Sequence, residues 1–328
     1  MFKRVRGAIS ILKKSIPRAR AKARKNASKD AASTASKQAL YRTNIISWPE
    51  SELVHCLEYH EKFLHWYLRF LCGELSPTAS YQRHITSLKS LISILRMEGD
   101  STKTWETEED QQLFFDYFDG KWMRALADLV MDPFDDVRDT ASLALAQLFA
   151  DKRYRNFTLS PAGSSQKPSK ELDELLRRAE EVSVRTARAD HSDGVARASQ
   201  LLYKFSDTED ERLRLLSKLV DTLDQKVSRA EADLGQAVLE QPLHSTFASL
   251  CFTWQAVSEK KLSVFEAESA TALQDRMIAC CERVWKAVRE VLCDDSPEGH
   301  LPEEMEDTEG LDTKGLLSYS FRAIHESR

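Results

Sequence analysis

The sequence predicts an all-α protein, a solenoid of stacked antiparallel helix pairs, and three observations predict it. Glycine and proline are scarce, at 10 and 9 in 328 residues. Little of the hairpin chemistry that sheets need is left, and Val/Ile-rich runs alternating with period two are almost absent. Apolar residues instead recur at helical spacing within stretches rich in Leu, Ala, Glu, Lys and Arg. The third observation is the stretch 128–149, DLVMDPFDDVRDTASLALAQLF. Leu129 and Val130 close one apolar run, the link Asp132-Pro133-Phe134-Asp135 interrupts it, and a second run carries Val137, Ala141, Leu145 and Leu148. Pro133 cannot continue the first helix, and Asp135 or Asp136 can cap the second by accepting its unpaired backbone N–H groups.

Taken in order, the chain opens on residues 1–44, expected to be a basic, disordered tail. Residues 1–40 hold 12 Lys and Arg against one Asp, which leaves 35 basic and 51 acidic residues in 41–328. The formal charge of −5 therefore hides a balance of −16 on the body. Three readings compete for the tail. It is a solvated flexible segment, or a mitochondrial transit peptide with Phe2, Val5, Ile9, Leu12 and Ile16 on a short amphipathic face. Or it is a nucleic-acid arm, in which each phosphate neutralised contributes a salt slope of about −0.7 to −0.9. Without interleaved aromatics, such an arm adds affinity but little base selection.

Helical repeats are expected over 45–157. Ser47, Pro49 and Glu50 open a helix whose stripe is Leu53, Leu57, Phe63, Leu64, Tyr67, Leu68 and Leu71, ending at Gly73. Ser76-Pro77 starts a partner running through Ile85, Leu88, Ile92 and Leu95 to Gly99. The next pair runs from Thr107 through Leu113, Phe114, Tyr117, Phe118, Trp122, Leu126 and Val130, then on to about Ala150. Its span of about 43 residues fits the ~40 to 47 of HEAT or armadillo units. The Val137-Arg138 pair, with Ala141 after it, resembles the second helix of a HEAT repeat. That resemblance implies that Val137, Ala141 and Leu145 pack inward, while Arg138 and the aspartates tie neighbouring turns together. One such pair cannot bury both of its faces, so stacking is required.

Residues 158–169, TLSPAGSSQKPS, read as a loop or insertion, and 170–328 as further repeats truncated at the C-terminus. Helices are expected over 170–189, 194–205, 209–239 with a break near Gly235, 242–257 and 266–293. An acidic loop with Glu303, Glu304, Glu306, Asp307, Glu309 and Asp312 then leads to a last helix from Leu316.

Chemistry-bearing patterns are few. No apolar run approaches the ~18 to 20 residues that span a bilayer. Cys56, Cys72, Cys251, Cys280, Cys281 and Cys293 form no CxxC pair and read as reduced, buried thiols of an intracellular compartment, with Cys280, Cys281 and Cys293 in core packing. His55, His60, Glu61 and His65 fail as a zinc-protease motif, because His60 and His65 are five apart instead of four. The loop carboxylates read as solvated before they read as a cation site. There is no GxSxG elbow, no P-loop and no GxGxxG after a strand, so no catalytic residue, cofactor or metal is expected.

The segment 294–327, DDSPEGHLPEEMEDTEGLDTKGLLSYSFRAIHES, resembles a signature of the THADA family of large helical-repeat proteins. Its aromatic-Arg-x-hydrophobic-x-Glu core is here Phe321, Arg322, Ile324 and Glu326. Two further stretches agree, DPFDDVRDTAS at 132–142 and Pro242-Leu243-His244 at a helix start. The resemblance covers roughly 45–328 and leaves the basic tail without a counterpart. It implies a piece of a longer, non-catalytic partner of a tRNA 2′-O-methyltransferase acting on anticodon-loop nucleotide 32. In that picture the methyltransferase supplies S-adenosylmethionine and chemistry, and the solenoid positions the tRNA. The alternative is a general protein-interaction solenoid without an RNA role. Because the body is acidic, RNA contact is expected at local basic positions, Arg177, Arg178, Arg185 and Arg188, or at the tail. Phe321, Arg322 and Glu326 are the expected partner contacts. Localisation is expected to be cytoplasmic, with mitochondrial as the alternative.

Overall fold

The computed structural model describes residues 1–29, 48–98, 118–151, 168–186, 188–240, 242–293 and 310–327. Among the described residues every regular element is a helix, as composition and periodicity predict. The chain divides into two compact units, residues 1–125 with 150–157, and residues 126–149 with 158–328.

The first unit begins with α1 (Phe2–Lys29), which corrects the disordered tail expected over 1–44 as far as residue 29. Ile9 and Leu12 bury one stripe of α1 against α2 (Glu50–Glu74), and Arg6 is fully buried beside them. Lys13 and Arg20 reach Glu61 and Glu50 of α2 at 3.8 and 2.7 Å. Charge alone argued for disorder. The apolar residues every three or four positions, set among helix-favouring alanines, find a partner stripe and outweigh it. Residues 30–44 of that expectation lie outside the described residues.

In α2, Leu53, Leu64, Leu68 and Leu71 are buried as expected. The partner helix α3 (Tyr81–Glu98) begins at Tyr81, not at Ser76-Pro77. Residues 75–80 turn instead, held by His84 Nε2 against the Ser76 carbonyl at 2.8 Å and by Arg83 paired with Glu74. Ile85, Leu88, Leu91, Ile92 and Leu95 then face inward. The expected start at Thr107, with Leu113, Phe114 and Tyr117, lies outside the described residues. What is described begins at Phe118. Asp119 accepts from the Lys121 backbone N–H at 3.0 Å and so caps α4 (Gly120–Leu129), whose buried Trp122 stacks on Phe118.

In the second unit, the Phe134 N–H donates to Asp132 Oδ1 at 2.9 Å across the proline turn, and α5 (Asp135–Ala150) follows. Val137, Ala141, Leu145 and Leu148 are all fully buried, as their spacing predicts. Then come α6 (Pro168–Thr186), α7 (Ala189–Phe205) and α8 (Glu209–Ala232). Thr208 and Glu211 cap α8 reciprocally. Gly194 lies inside α7 rather than at its start. A Cβ there would stand 2.8 Å from the Val130 carbonyl oxygen and 2.4 Å from Met131 Sδ, so its absence is what lets α7 lie against that turn.

The helix expected over 209–239 does break, but at Asp233, which leaves the helical region at φ −156 and accepts from the Gln236 N–H at 2.9 Å. This caps α9 (Leu234–Glu240) two residues before Gly235. The remaining helices are α10 (His244–Ser258), α11 (Val264–Cys293) and α12 (Thr313–Glu326). α7 packs against α6 and α10, α8 against α11, and α12 against both α10 and α11. Asp312, grouped above with the loop carboxylates, is the cap of α12 and accepts from the Gly315 N–H at 2.7 Å. Glu303, Glu304, Glu306, Asp307 and Glu309 lie outside the described residues.

Candidate functional site

Two buried arginines and three aspartates join α5 to α7. Arg138 donates from Nη1 to the Asp132 carbonyl at 2.7 Å, from Nε to Asp193 at 2.5 Å and from Nη2 to Asp135 at 3.2 Å. Arg197 donates to the same Asp193 at 2.9 Å, to Asp135 at 2.7 Å and to Asp139, with its guanidinium 4.9 Å from the Phe252 ring centre. Arg138 was legible from the resemblance to a HEAT helix. Arg197 was missed, although its i,i+4 relation to Asp193 was there to be read. The bonds from Arg138 to Asp193 and from Arg197 to Asp135 and Asp139 tie α5 to α7, and the remaining ones brace the same two helix ends, so the chemistry of this place is structural.

Two segments singled out in the sequence meet elsewhere. Pro242-Leu243-His244 opens α10, Arg322 comes from α12, and Lys226 arrives from α8. Lys226 Nζ donates to the Pro242 carbonyl at 3.0 Å and to Thr246 Oγ1 at 2.9 Å, while burial pushes its ammonium down to about 8. Burial, then the Arg322 and Lys226 cations, push His244 down to about 4. Its imidazole is therefore neutral near pH 7. Because its folded value lies below the ordinary 6.5, the unfolded chain takes the proton first. The stability tied to this group is complete above about 6.5 and is lost as pH falls toward 4. Denaturant midpoints measured across that window are expected to fall for the wild type and to flatten for His244→Asn.

Close to that corner lie the expected partner contacts. Phe321 is 63% exposed, with its ring 5.9 Å from that of His325. Glu326 stands at the mouth of an apolar groove of about 360 Å³ between α10 and α11, lined by Phe247, Leu250, Trp254 and Met277. Arg322 is exposed, and Ala323 on the same helix is buried.

The four arginines expected to touch RNA are not assembled into a free basic patch. Arg177 is bound to Glu174 at 2.8 Å and to Glu181, and Arg178 is bound to Glu174 at 2.8 Å. These two guanidinium groups hold the Glu174 carboxyl down at about 2. Arg188 pairs with Asp190 at 2.6 Å, and Arg185 is exposed in the last turn of α6. Carboxylates three and four residues away neutralise the charge where it arises.

On α2, His60 Nδ1 lies 2.7 Å from the Cys56 carbonyl. Among the described residues no three His, Cys, Asp or Glu side chains are placed to hold a metal ion. Cys56, Cys72, Cys251, Cys280 and Cys281 are free thiols, and the expected burial holds for Cys280 but not for Cys251, which is exposed, or for the half-buried Cys56, Cys72 and Cys281; burial pushes Cys72 up to about 11. The opposite face of α2 carries a ridge that was missed, with Tyr59, Trp66 and Phe70 at 68, 59 and 47% exposure. Phe63, assigned to the core stripe by its spacing, stacks between Trp66 and Tyr67 at 5.8 and 6.2 Å.

Comparison with known proteins gives three findings. Residues 4–139 match a family model described as Trm732, TPR repeats, and residues 272–328 match one described as THADA/TRM732, DUF2428. A curated relative from Schizosaccharomyces pombe, named tRNA (32-2'-O)-methyltransferase regulator trm732, is 26% identical over 278 residues, which cover 81% of this chain. The chain spans 18% of that relative's length. No solved structure matches. The first model describes the repeats as TPR, where HEAT or armadillo units were expected; both are stacked helix pairs and differ in period. It also begins at residue 4, so the basic segment does have a counterpart among relatives.

Proposed function

The chain belongs to the THADA/Trm732 family, and from that premise we propose that it is a helical-repeat part of the regulatory subunit of a tRNA 2′-O-methyltransferase acting on anticodon-loop nucleotide 32. It performs no chemical step itself. A catalytic subunit supplies the methyl donor and the reaction, and the repeats hold substrate and enzyme in register. The observation that carries this reading is the agreement of family models at both ends of the chain with a relative named as a regulator of that reaction. The physics is compatible. Orientation is itself a large catalytic contribution, and it needs rigid surfaces rather than reactive groups. The bonds of Arg138 and Arg197 that tie α5 to α7 give such rigidity.

Deleting the gene tests the proposal. Ribose methylation at nucleotide 32 is expected to fall and to return on re-expression, and unchanged methylation would sink the idea. A general interaction solenoid without an RNA role is the outcome if pulldown returns neither a methyltransferase nor tRNA. The proposed compartment is the cytoplasm, and imaging a tagged chain decides between it and mitochondria.

A further inference from the structure

From the charge that the fold leaves uncancelled, we infer that the outward face of α1 is an RNA-backbone contact, made by Lys3, Arg4, Arg18 and Lys22. The inference rests on the reading above only in taking RNA as the ligand. α1 holds 11 Lys and Arg and no Asp or Glu, so no carboxylate within the helix can neutralise them in the way Glu174 neutralises Arg177 and Arg178.

The geometry sorts these cations. At about 100° per residue, Arg18 lies half a turn from Ile9, which is buried against α2, and Arg4 and Lys22 fall within ~40° of Arg18. Lys3 lies ~60° to the other side of Arg18. Two ion pairs between α1 and α2, Lys13 with Glu61 and Arg20 with Glu50, lie on the side of α1 that faces α2. Lys3, Arg4, Arg18 and Lys22 are all exposed. They run along one side of the helix for roughly 28 Å at 1.5 Å rise per residue.

Cations of one sign along one helix face repel each other, and a polyanion laid along them removes that repulsion while releasing its own counterions. Phe2 is half-buried and no other aromatic lies on α1, so the contact reads phosphates and not bases. Of the two RNA contacts expected from sequence, Arg177, Arg178 and Arg188 pair with nearby carboxylates, whereas Lys3, Arg4, Arg18 and Lys22 in the basic segment lie exposed on a helix that has none.

The test is binding of the full chain to a transcribed tRNA, followed by fluorescence anisotropy over a salt series. With Lys3, Arg4, Arg18 and Lys22 all changed to Gln, affinity is expected to drop at least tenfold, and the slope of log K against log salt to shrink by roughly 3. An RNA of the same fold with an altered loop sequence is expected to bind equally well. Circular dichroism and the denaturant midpoint of the variant check that α1 still folds. A second variant, Arg177→Gln with Arg178→Gln and Arg188→Gln, is expected to bind as the wild type does. Unchanged RNA affinity in the α1 variant overturns the inference. So does a loss only in the second variant, or binding to phosphatidylserine vesicles without binding to tRNA. Gene deletion separates this result from the functional proposal. Methylation that depends on the gene, with no role for α1 in RNA affinity, removes the inference alone; tRNA binding through α1 without any methylation defect removes the function alone.

Discussion

Val137→Asp is expected to unfold the second unit around α5, at a cost on the order of 4 kcal/mol or more. Val137 is fully buried in the first turn of α5, on the same stripe as the fully buried Ala141, Leu145 and Leu148. The new carboxylate there would have neither water nor a cation, since both nearby guanidinium groups are already committed to Asp193 and Asp135. A domain is stable by only about 5 to 15 kcal/mol, so the loss should be visible as a collapsed urea midpoint and rapid proteolysis. Leu143→Asp provides the comparison within the same helix. Leu143 is exposed, and its replacement should leave the midpoint nearly unchanged. Wild-type melting of Val137→Asp would refute the assignment of this stripe to the core.

Arg212→Leu is expected to cost about 3 to 5 kcal/mol, because it strands a charge rather than opening a hole. Glu266, at the start of α11, is 2% exposed and receives two bonds from Arg212 of α8, at 2.6 and 2.9 Å. Tyr203 adds a longer one at 3.5 Å, and its own hydroxyl is pushed up to about 12 by burial and by the Glu266 charge. The bond from Arg212 holds the Glu266 carboxyl below its ordinary 4.5. In the wild type, the stability this gives is therefore complete above about 4.5 and lost as pH falls through the lower folded value. In Arg212→Leu the sign reverses. The uncompensated carboxyl is raised, and the variant should regain stability as pH falls. The double variant Arg212→Leu/Glu266→Leu should lose less than Arg212→Leu alone, and a double-mutant cycle reads the coupling directly. Equal losses would mean that the pair is not the source of the effect.

How much of this was legible follows from where each signal lives. The stripe of α5 was plain because its period, its proline turn and its caps are all local. The break after α8 is legible too, but the sequence marks it two residues late, because Gly235 is the stronger local breaker while the Asp233 side chain does the capping. Ser76-Pro77 imitates a helix start, but local bonds such as the Ala79 N–H to the Ser76 carbonyl at 2.9 Å, with Arg83 and His84 reaching back from α3, make it a turn. In α1 the apolar face of Phe2, Val5, Ile9, Leu12 and Ile16 was legible, but only as a feature of a transit peptide, since nothing in residues 1–40 names the helix that covers it. For the arginines of α6 the opposite held. Glu174 and Glu181 were visible at helical spacing, and weighing them would have removed that patch. Arg197 bonds to Asp135 and Asp139 across 62 and 58 residues, a relation no local pattern reports.

That separation in sequence bears on how the protein folds. Arg138 to Asp193 spans 55 residues, Arg212 to Glu266 spans 54, and Arg283 to Asp224 and Glu231 span 59 and 52. Each of these bonds closes a long loop, and loop closure is an entropic cost that must be met before the contact repays it. Neighbouring helices pair earlier, through contacts near in the chain. The arginine bridges are therefore expected to form after the rate-limiting barrier: in chevron kinetics Arg212→Leu should speed unfolding and leave the folding rate almost unchanged, and a slowed folding limb would refute that order. The bridges act as latches on an assembled stack rather than as guides to its assembly.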